Sequence, residues 1–260
     1  MKTALRGLAL LVAATAARPL PGPEPASPAA DRKEFRSDDK YTLHYGVEWR
    51  LVRAGMARMS WSPAAGSGFE ANLHLESAGL VSKLYRVDDD YRAVLTDNLC
   101  ASKVLFNAEE GKKRRQTTIS FDHTSGKIDY VERDLVKNNI ALTKQLEAQP
   151  CVYEYLGALH KIRGMKLDPG QTITVPVSDG KKFAEVKVEA QEREQVRTPM
   201  GTYNTIRYEV NLFNDVIITK KARMYVWVSD DARRLPVQLR VRMQFLIGTI
   251  TLQLEKEEIQ

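Results

Sequence analysis

The chain has 260 residues, 43% hydrophobic and 28% charged, with a formal net charge of +6. That is enough for one large β domain or two small lobes, and the composition is not that of a disordered chain. The modest positive excess is spread along the sequence, which argues against a dedicated nucleic-acid surface.

Met1 to Ala17 has the layout of a secretory signal peptide. Lys2 and Arg6 supply the charged start, Gly7 to Ala17 is an apolar run ending in small residues, and cleavage is expected near Ala16 or Ala17. The apolar run is too short to span a bilayer, and no Cys lies near the cleavage point to carry a lipid anchor. Export to the periplasm or the medium follows. Residues 18–34 hold five prolines, at 19, 21, 23, 25 and 28, and read as an extended, disordered linker.

From Tyr41 the chain alternates, with Leu43, Tyr45, Val47, Trp49 and Leu51 on one face of an expected strand. Ala57, Met59 and Trp61 continue as a second strand, and Ala71, Leu73 and Leu75 as a third, which makes a meander. Gly79 to Arg86 shifts to helical spacing and is expected to cover one end of the sheet. Further strands are expected at Tyr91–Leu95, Ser102–Asn107, Arg115–Phe121 and Lys127–Val131. Leu135 to Pro150 is the least sheet-like stretch and marks a candidate divide between two lobes.

Val152 to Arg163 puts Val152, Tyr155, Leu156, Leu159 and Ile162 on one helical face, stopped by Gly164. A hairpin follows around Ser178-Asp179-Gly180, then a strand through Ile206, Tyr208, Val210 and Leu212. Met224 to Val228 and Val237 to Met243 form a second hairpin about Ser229-Asp230-Asp231 and Pro236, with Phe245 to Leu252 as a buried closing strand. The expected fold is mainly β, a curved antiparallel sheet or half-open β-barrel with two short helices. It spans residues 35–260 as one domain, or as two lobes divided near 135–150.

The sequence shows no catalytic constellation and implies no cofactor. His44, His74, His123 and His160 are scattered without metal-ligand spacing, and Asp88-Asp89-Asp90 does not match a calcium loop, so no metal site is expected. Neither a nucleophile elbow nor a phosphate-cradling glycine loop is present. Cys100 and Cys151 are the only cysteines. In an oxidising compartment they are expected to pair, closing a loop of about fifty residues, with two buried thiols as the other reading. Four basic clusters, Lys112 to Arg115, Lys181-Lys182, Lys220-Lys221 and Arg233-Arg234, fall at or near expected turns. They serve as solvated edge protection, or else gather at one end of the sheet to face an anionic membrane without spanning it.

Leu167-Asp-Pro-Gly-Gln-Thr-Ile-Thr-Val175, Thr198-Pro-Met-Gly-Thr-Tyr203 and Tyr225-Val-Trp-Val-Ser-Asp-Asp-Ala-Arg-Arg-Leu-Pro-Val237 resemble a family of exported bacterial proteins known only as the domain of unknown function numbered 3108. The resemblance covers roughly Glu34 to Gln260 and implies a signal peptide and a β-rich body, with no catalytic residues to carry over. A looser resemblance is to periplasmic carriers of lipoproteins and lipids, whose sheets also end in an aromatic strand, an acidic turn and Leu-Pro. The leading expectation is therefore a non-enzymatic envelope protein that holds an apolar ligand or lipid. Trp49, Trp61, Tyr225 and Trp227 are expected to line its interior, against the plainer reading of core packing. A scaffold that docks an envelope protein through a sheet edge is the alternative, and a hydrolase with a spatially assembled site is the third.

Overall fold

The computed structural model describes residues 39–243 and 248–259. The expected signal peptide, its expected cleavage point and the expected Pro-rich linker lie outside the described residues.

β1 (Tyr41–Trp49), β2 (Val52–Pro63) and β3 (Phe69–Ser77) form the expected meander. After α1 (Gly79–Leu84) come β4 (Val87–Leu95), β5 (Ala101–Glu110), β6 (Lys113–Asp122), β7 (Lys127–Asp134) and β8 (Asn139–Glu147). α2 (Tyr155–Gly164) then leads to β9 (Thr172–Ser178), β10 (Phe183–Thr198) and β11 (Gly201–Val210). β12 (Ala222–Ser229), β13 (Pro236–Met243) and β14 (Thr249–Ile259) complete the described elements.

All the strands join one open antiparallel sheet, in the order β8 back to β1 and then β14 back to β9. β1 and β14 are therefore neighbours in mid-sheet, while the two edge strands, β8 and β9, are consecutive in the chain. The segment between those edges carries α2. The sheet curls around that helix. Leu159 and Ile162 face Val175, Val186, Val210 and Val226 of one wing, while His160 and Arg163 face Tyr41, Met59 and Trp61 of the other.

This placement corrects the amphipathic reading of α2. Leu156, Gly157, Ala158, Leu159, His160, Ile162 and Arg163 are all buried, because sheet surrounds the helix on more than one side. The helix also starts later than expected. Glu154 caps it, accepting hydrogen bonds from the Leu156 and Gly157 amides, while Val152 and Tyr153 stay extended. Tyr153 bridges to Val177 of β9, and the Ala101 amide donates to the Val152 carbonyl at 2.7 Å. The Cys100–Cys151 disulfide fixes the same lead-in to the start of β5, with Cα atoms 5.1 Å apart.

Three other expectations change. Leu135 to Pro150, expected to be the least sheet-like stretch, contains β8, which continues the sheet as an edge strand. β8 is paired on one side only and its residues are largely exposed, so no buried face marks it in the sequence. Leu51 is not on the buried face of β1, which ends at Trp49; it sits in the β1–β2 turn. Of the strand expected from Phe245 to Leu252, 245–247 lie outside the described residues; the described part starts at Thr249, and Ile250 and Leu252 are only half-buried.

Candidate functional site

Strand register builds the site. On the inner face of β3 to β7, Ala71, Ala93, Val104, Ile119 and Tyr130 lie side by side in one cross-strand row. α2 comes closest to the chain leading into β5 at Gly157, where a Cβ would sit 3.1 Å from the Leu99 carbonyl oxygen. The next row, Leu73, Tyr91, Phe106, Thr117 and Glu132, borders a cavity of about 430 Å³.

Its floor is apolar, with the Tyr91 and Phe106 rings tilted against each other at 5.7 Å. Tyr155 of α2 and Asp179 and Lys181 of the β9–β10 turn form the facing wall. That turn reaches across the curl to the far wing: Lys181 lies over the Tyr130 ring at 5.3 Å, and Lys144 Nζ of β8 donates to its carbonyl at 2.5 Å.

One end of the cavity is charged. Asp89, Glu110, Arg115 and Glu132 gather there, with Arg115 paired to Glu132 at 3.0 Å. Burial pushes the Asp89 carboxyl up to about 6, helped by Glu110 and opposed by the hydrogen bond it accepts from the Glu109 amide. Deeper in, the Tyr91 hydroxyl donates to Glu154 at 2.9 Å, which joins the cavity floor to the cap of α2. Burial also raises the Glu154 carboxyl, and it lifts the Tyr130 hydroxyl to about 12 together with a hydrogen bond to Glu132. Among the described residues, no His, Cys or Ser lines this cavity.

None of the four aromatic residues expected to meet a ligand borders it. Trp61 is on the inner face but lies beneath α2, its ring stacked on His160 at 3.7 Å with almost no space left. Desolvation and Arg163 hold that imidazole down to about 2, so it packs as a neutral ring. Trp49 is half-buried at the end of β1, beside the Arg50 guanidinium at 5.5 Å. Tyr225 and Trp227 are on the opposite face of β12, because Met224 and Val226 turn toward α2. There Trp227 donates its indole N–H to Glu194 at 2.7 Å under Arg240, and Tyr225 is ringed by Arg207, Arg223 and Arg242.

The sequence missed Tyr91, Phe106, Tyr130 and Tyr155. Their signal is diluted because the inner face also carries Asp89, Arg115, Thr117 and Glu132. The basic clusters separate as well. Arg234 is buried, Arg233 pairs with Glu257, Lys181 lies over Tyr130 across the curl, and Lys182 donates to the Asp215 carbonyl in the β11–β12 loop, so these two clusters are structural. One group has metal-like proximity, with ligand atoms of His74, Asp88 and Asp90 within 4.8 Å of one another. Arg86 already pairs with Asp88, and His74 hydrogen-bonds Asp90 at 2.9 Å.

An open antiparallel sheet curled about one helix, with a cavity beside it, defines a half-open, barrel-like β protein. Residues 40–255 match the family described as a protein of unknown function, DUF3108, and the chain belongs to that family. The fold is similar to the crystal structure of a β-barrel-like protein of the domain of unknown function DUF1849 from Brucella abortus. That likeness has a TM-score of 0.57 at 10% identity and covers 85% of this chain and 98% of that one. A DUF1089 family protein from Pseudomonas aeruginosa is more distant, with a TM-score of 0.38 at 13% identity over 73% of this chain and 90% of that one. No curated protein matches the chain.

Proposed function

We propose that this is an exported, non-enzymatic binding protein that carries an apolar or lipid-like molecule in the cell envelope, held between β3–β7, Tyr155 and the β9–β10 turn. One observation carries the reading: α2 fills only part of the curl and leaves about 430 Å³ open over an apolar floor with a charged end. Specific small-molecule sites have that volume and that mixture of apolar wall and few polar groups. The ligand class that fits is amphiphilic, with its chain over Leu73, Tyr91 and Phe106 and its polar end beside Asp89, Arg115 and Glu132.

Mass spectrometry of small molecules extracted from gently purified protein tests this. A stoichiometric apolar or lipid species is expected, and Ala108→Trp, which fills the cavity, should deplete it. Repeatedly empty wild-type protein would overturn the reading. The second reading, an envelope scaffold, draws on the unpaired edge of β8, where Ile140 is exposed. An empty protein that captures an envelope protein, and loses it on Ile140→Lys, would favour that alternative.

A further inference from the structure

We infer that the end of the sheet formed by the β1–β2 turn, α1, the β5–β6 turn and the β7–β8 turn is a docking face for an anionic lipid bilayer.

Turns at a sheet end ordinarily carry small polar residues. This end instead presents Leu51, Val52, Leu80, Leu84, Tyr85 and Val136 to solvent, Leu51 at 91% exposure and Leu84 at 73%. α1 buries none of its residues, and its two leucines four apart share one face. These tips are knitted into a single surface. The Ala78 amide, at the start of α1, donates to Ala54 of β2 at 2.8 Å. Gly111 in the β5–β6 turn donates to the Arg86 carbonyl at 2.7 Å, and Leu135 in the β7–β8 turn to Arg114 at 2.9 Å.

The β1–β2 tip adds a second observation. Arg50 and Leu51 both have positive φ, 50° and 68°, in a two-residue turn where Asn-Gly is the unstrained choice. A cation and an almost fully exposed leucine are held side by side there against backbone preference, a pairing that suits a membrane interface.

Charge chooses the occupant. Lys83, Lys112, Lys113 and Lys137 are exposed at the same end, interleaved with the apolar tips. Among the acids nearby, Asp88 pairs with Arg86 at 3.0 Å and Glu109 with Arg114 at 3.6 Å, while Asp134 lies close to Lys137 and Glu110 is exposed. Exposed leucines among exposed lysines fit a surface of acyl chains beneath anionic headgroups. No helix among the described residues is long and apolar enough to cross a membrane. Asp89, Glu110 and Arg115 place the charged end of the cavity at this same end of β4, β5 and β6, so docking would set it against the lipids. That last step rests on the proposed ligand reading; the docking face does not.

Co-sedimentation of the full chain with vesicles of phosphatidylcholine, with or without phosphatidylglycerol, tests the inference. Binding is expected only to the anionic vesicles, weakened by salt. It should fall about tenfold or more in Leu51→Asn/Leu80→Ser/Leu84→Ser and, separately, in Lys112→Glu/Lys113→Glu. Because these residues are exposed, unchanged melting temperatures should show that both variants fold. Wild-type protein that binds neither vesicle type, or both equally, overturns the inference, as does a folded leucine variant that binds like wild type. Extracting small molecules from the same preparations separates the two proposals. Protein that docks but is empty sinks only the cavity reading, and loaded protein that ignores vesicles sinks only the docking face.

Discussion

Arg163, in the last turn of α2, and Arg234, in the β12–β13 turn, exchange hydrogen bonds, each donating its guanidinium Nε to the other's backbone carbonyl, at 2.9 and 3.1 Å. Arg234 reaches the Met165 carbonyl as well, at 2.7 Å, so it caps a helix end whose carbonyls would otherwise be orphaned. The Ser229-Asp230-Asp231 turn exists to aim it. Ser229 accepts from the Leu235 amide at 2.7 Å, Asp231 accepts from the Arg233 and Arg234 amides, and Arg234 is held at φ 48°.

Arg234→Leu should therefore destabilise the fold by about 2–4 kcal/mol, because it strands buried carbonyls as well as losing contacts. The urea midpoint should fall with its slope unchanged. Ser229→Ala, which removes one link of the same turn, should cost about 1–2 kcal/mol. If Arg234→Leu matched wild type, the turn would be ornamental to the helix.

The Cys100–Cys151 bond closes a 51-residue separation and ties β5 to the strand-like lead-in of α2. Replacing both cysteines with serine should cost roughly 3–4 kcal/mol. Thermal unfolding of the double variant and of reduced wild type should coincide. A reduced wild type as stable as the oxidised protein would remove the bond from the account.

How much of this was legible varies with burial geometry. β1 and β2 were readable because one face is apolar and the other wet, so Leu43, Tyr45, Met59 and Trp61 alternate cleanly. β12 misled for the opposite reason. Both of its faces are covered, one by α2 and the other by arginines, so Tyr225 and Trp227 carry no signal of which side they occupy. The cavity was invisible because its wall mixes Tyr91 and Phe106 with Asp89 and Thr117, and its shape depends on where α2 ends relative to distant strands. The Arg-Arg pair before Leu-Pro looked like a solvated turn, since nothing local reveals that a helix end waits 71 residues away in sequence.

Gly180 shows how tightly the curl closes. With φ at 82°, it sits where a Cβ would come within 2.8 Å of Ile119 and 2.9 Å of Tyr130 on the far wing. Gly180→Ala combines backbone strain with a clash against two buried side chains and should cost about 1–3 kcal/mol. Amide exchange should quicken in β6, β7 and the β9–β10 turn before it does in β1 or β14. Uniform quickening across the sheet would mean that the turn is not a separate latch.

Asp89 sets a pH dependence whose sign is opposite to that of an ordinary salt-bridged carboxylate. Its folded pKa is about 6, above its usual 3.8, because burial and the neighbouring Glu110, Asp88 and Asp90 disfavour the charge. Between roughly pH 4 and 6 the folded state binds the proton more tightly than the unfolded chain, so this group's contribution falls as pH rises through that window. Above 6 the full deficit is present. Asp89→Asn keeps an acceptor for the Glu109 amide, 3.0 Å away, and removes the charge. The variant should be more stable than wild type near neutral pH, and the difference should shrink to nothing below about pH 4. Urea unfolding of both proteins across that range measures it. An equal gain at every pH would mean that packing, and not the ionised carboxylate, limits stability at the mouth of the cavity.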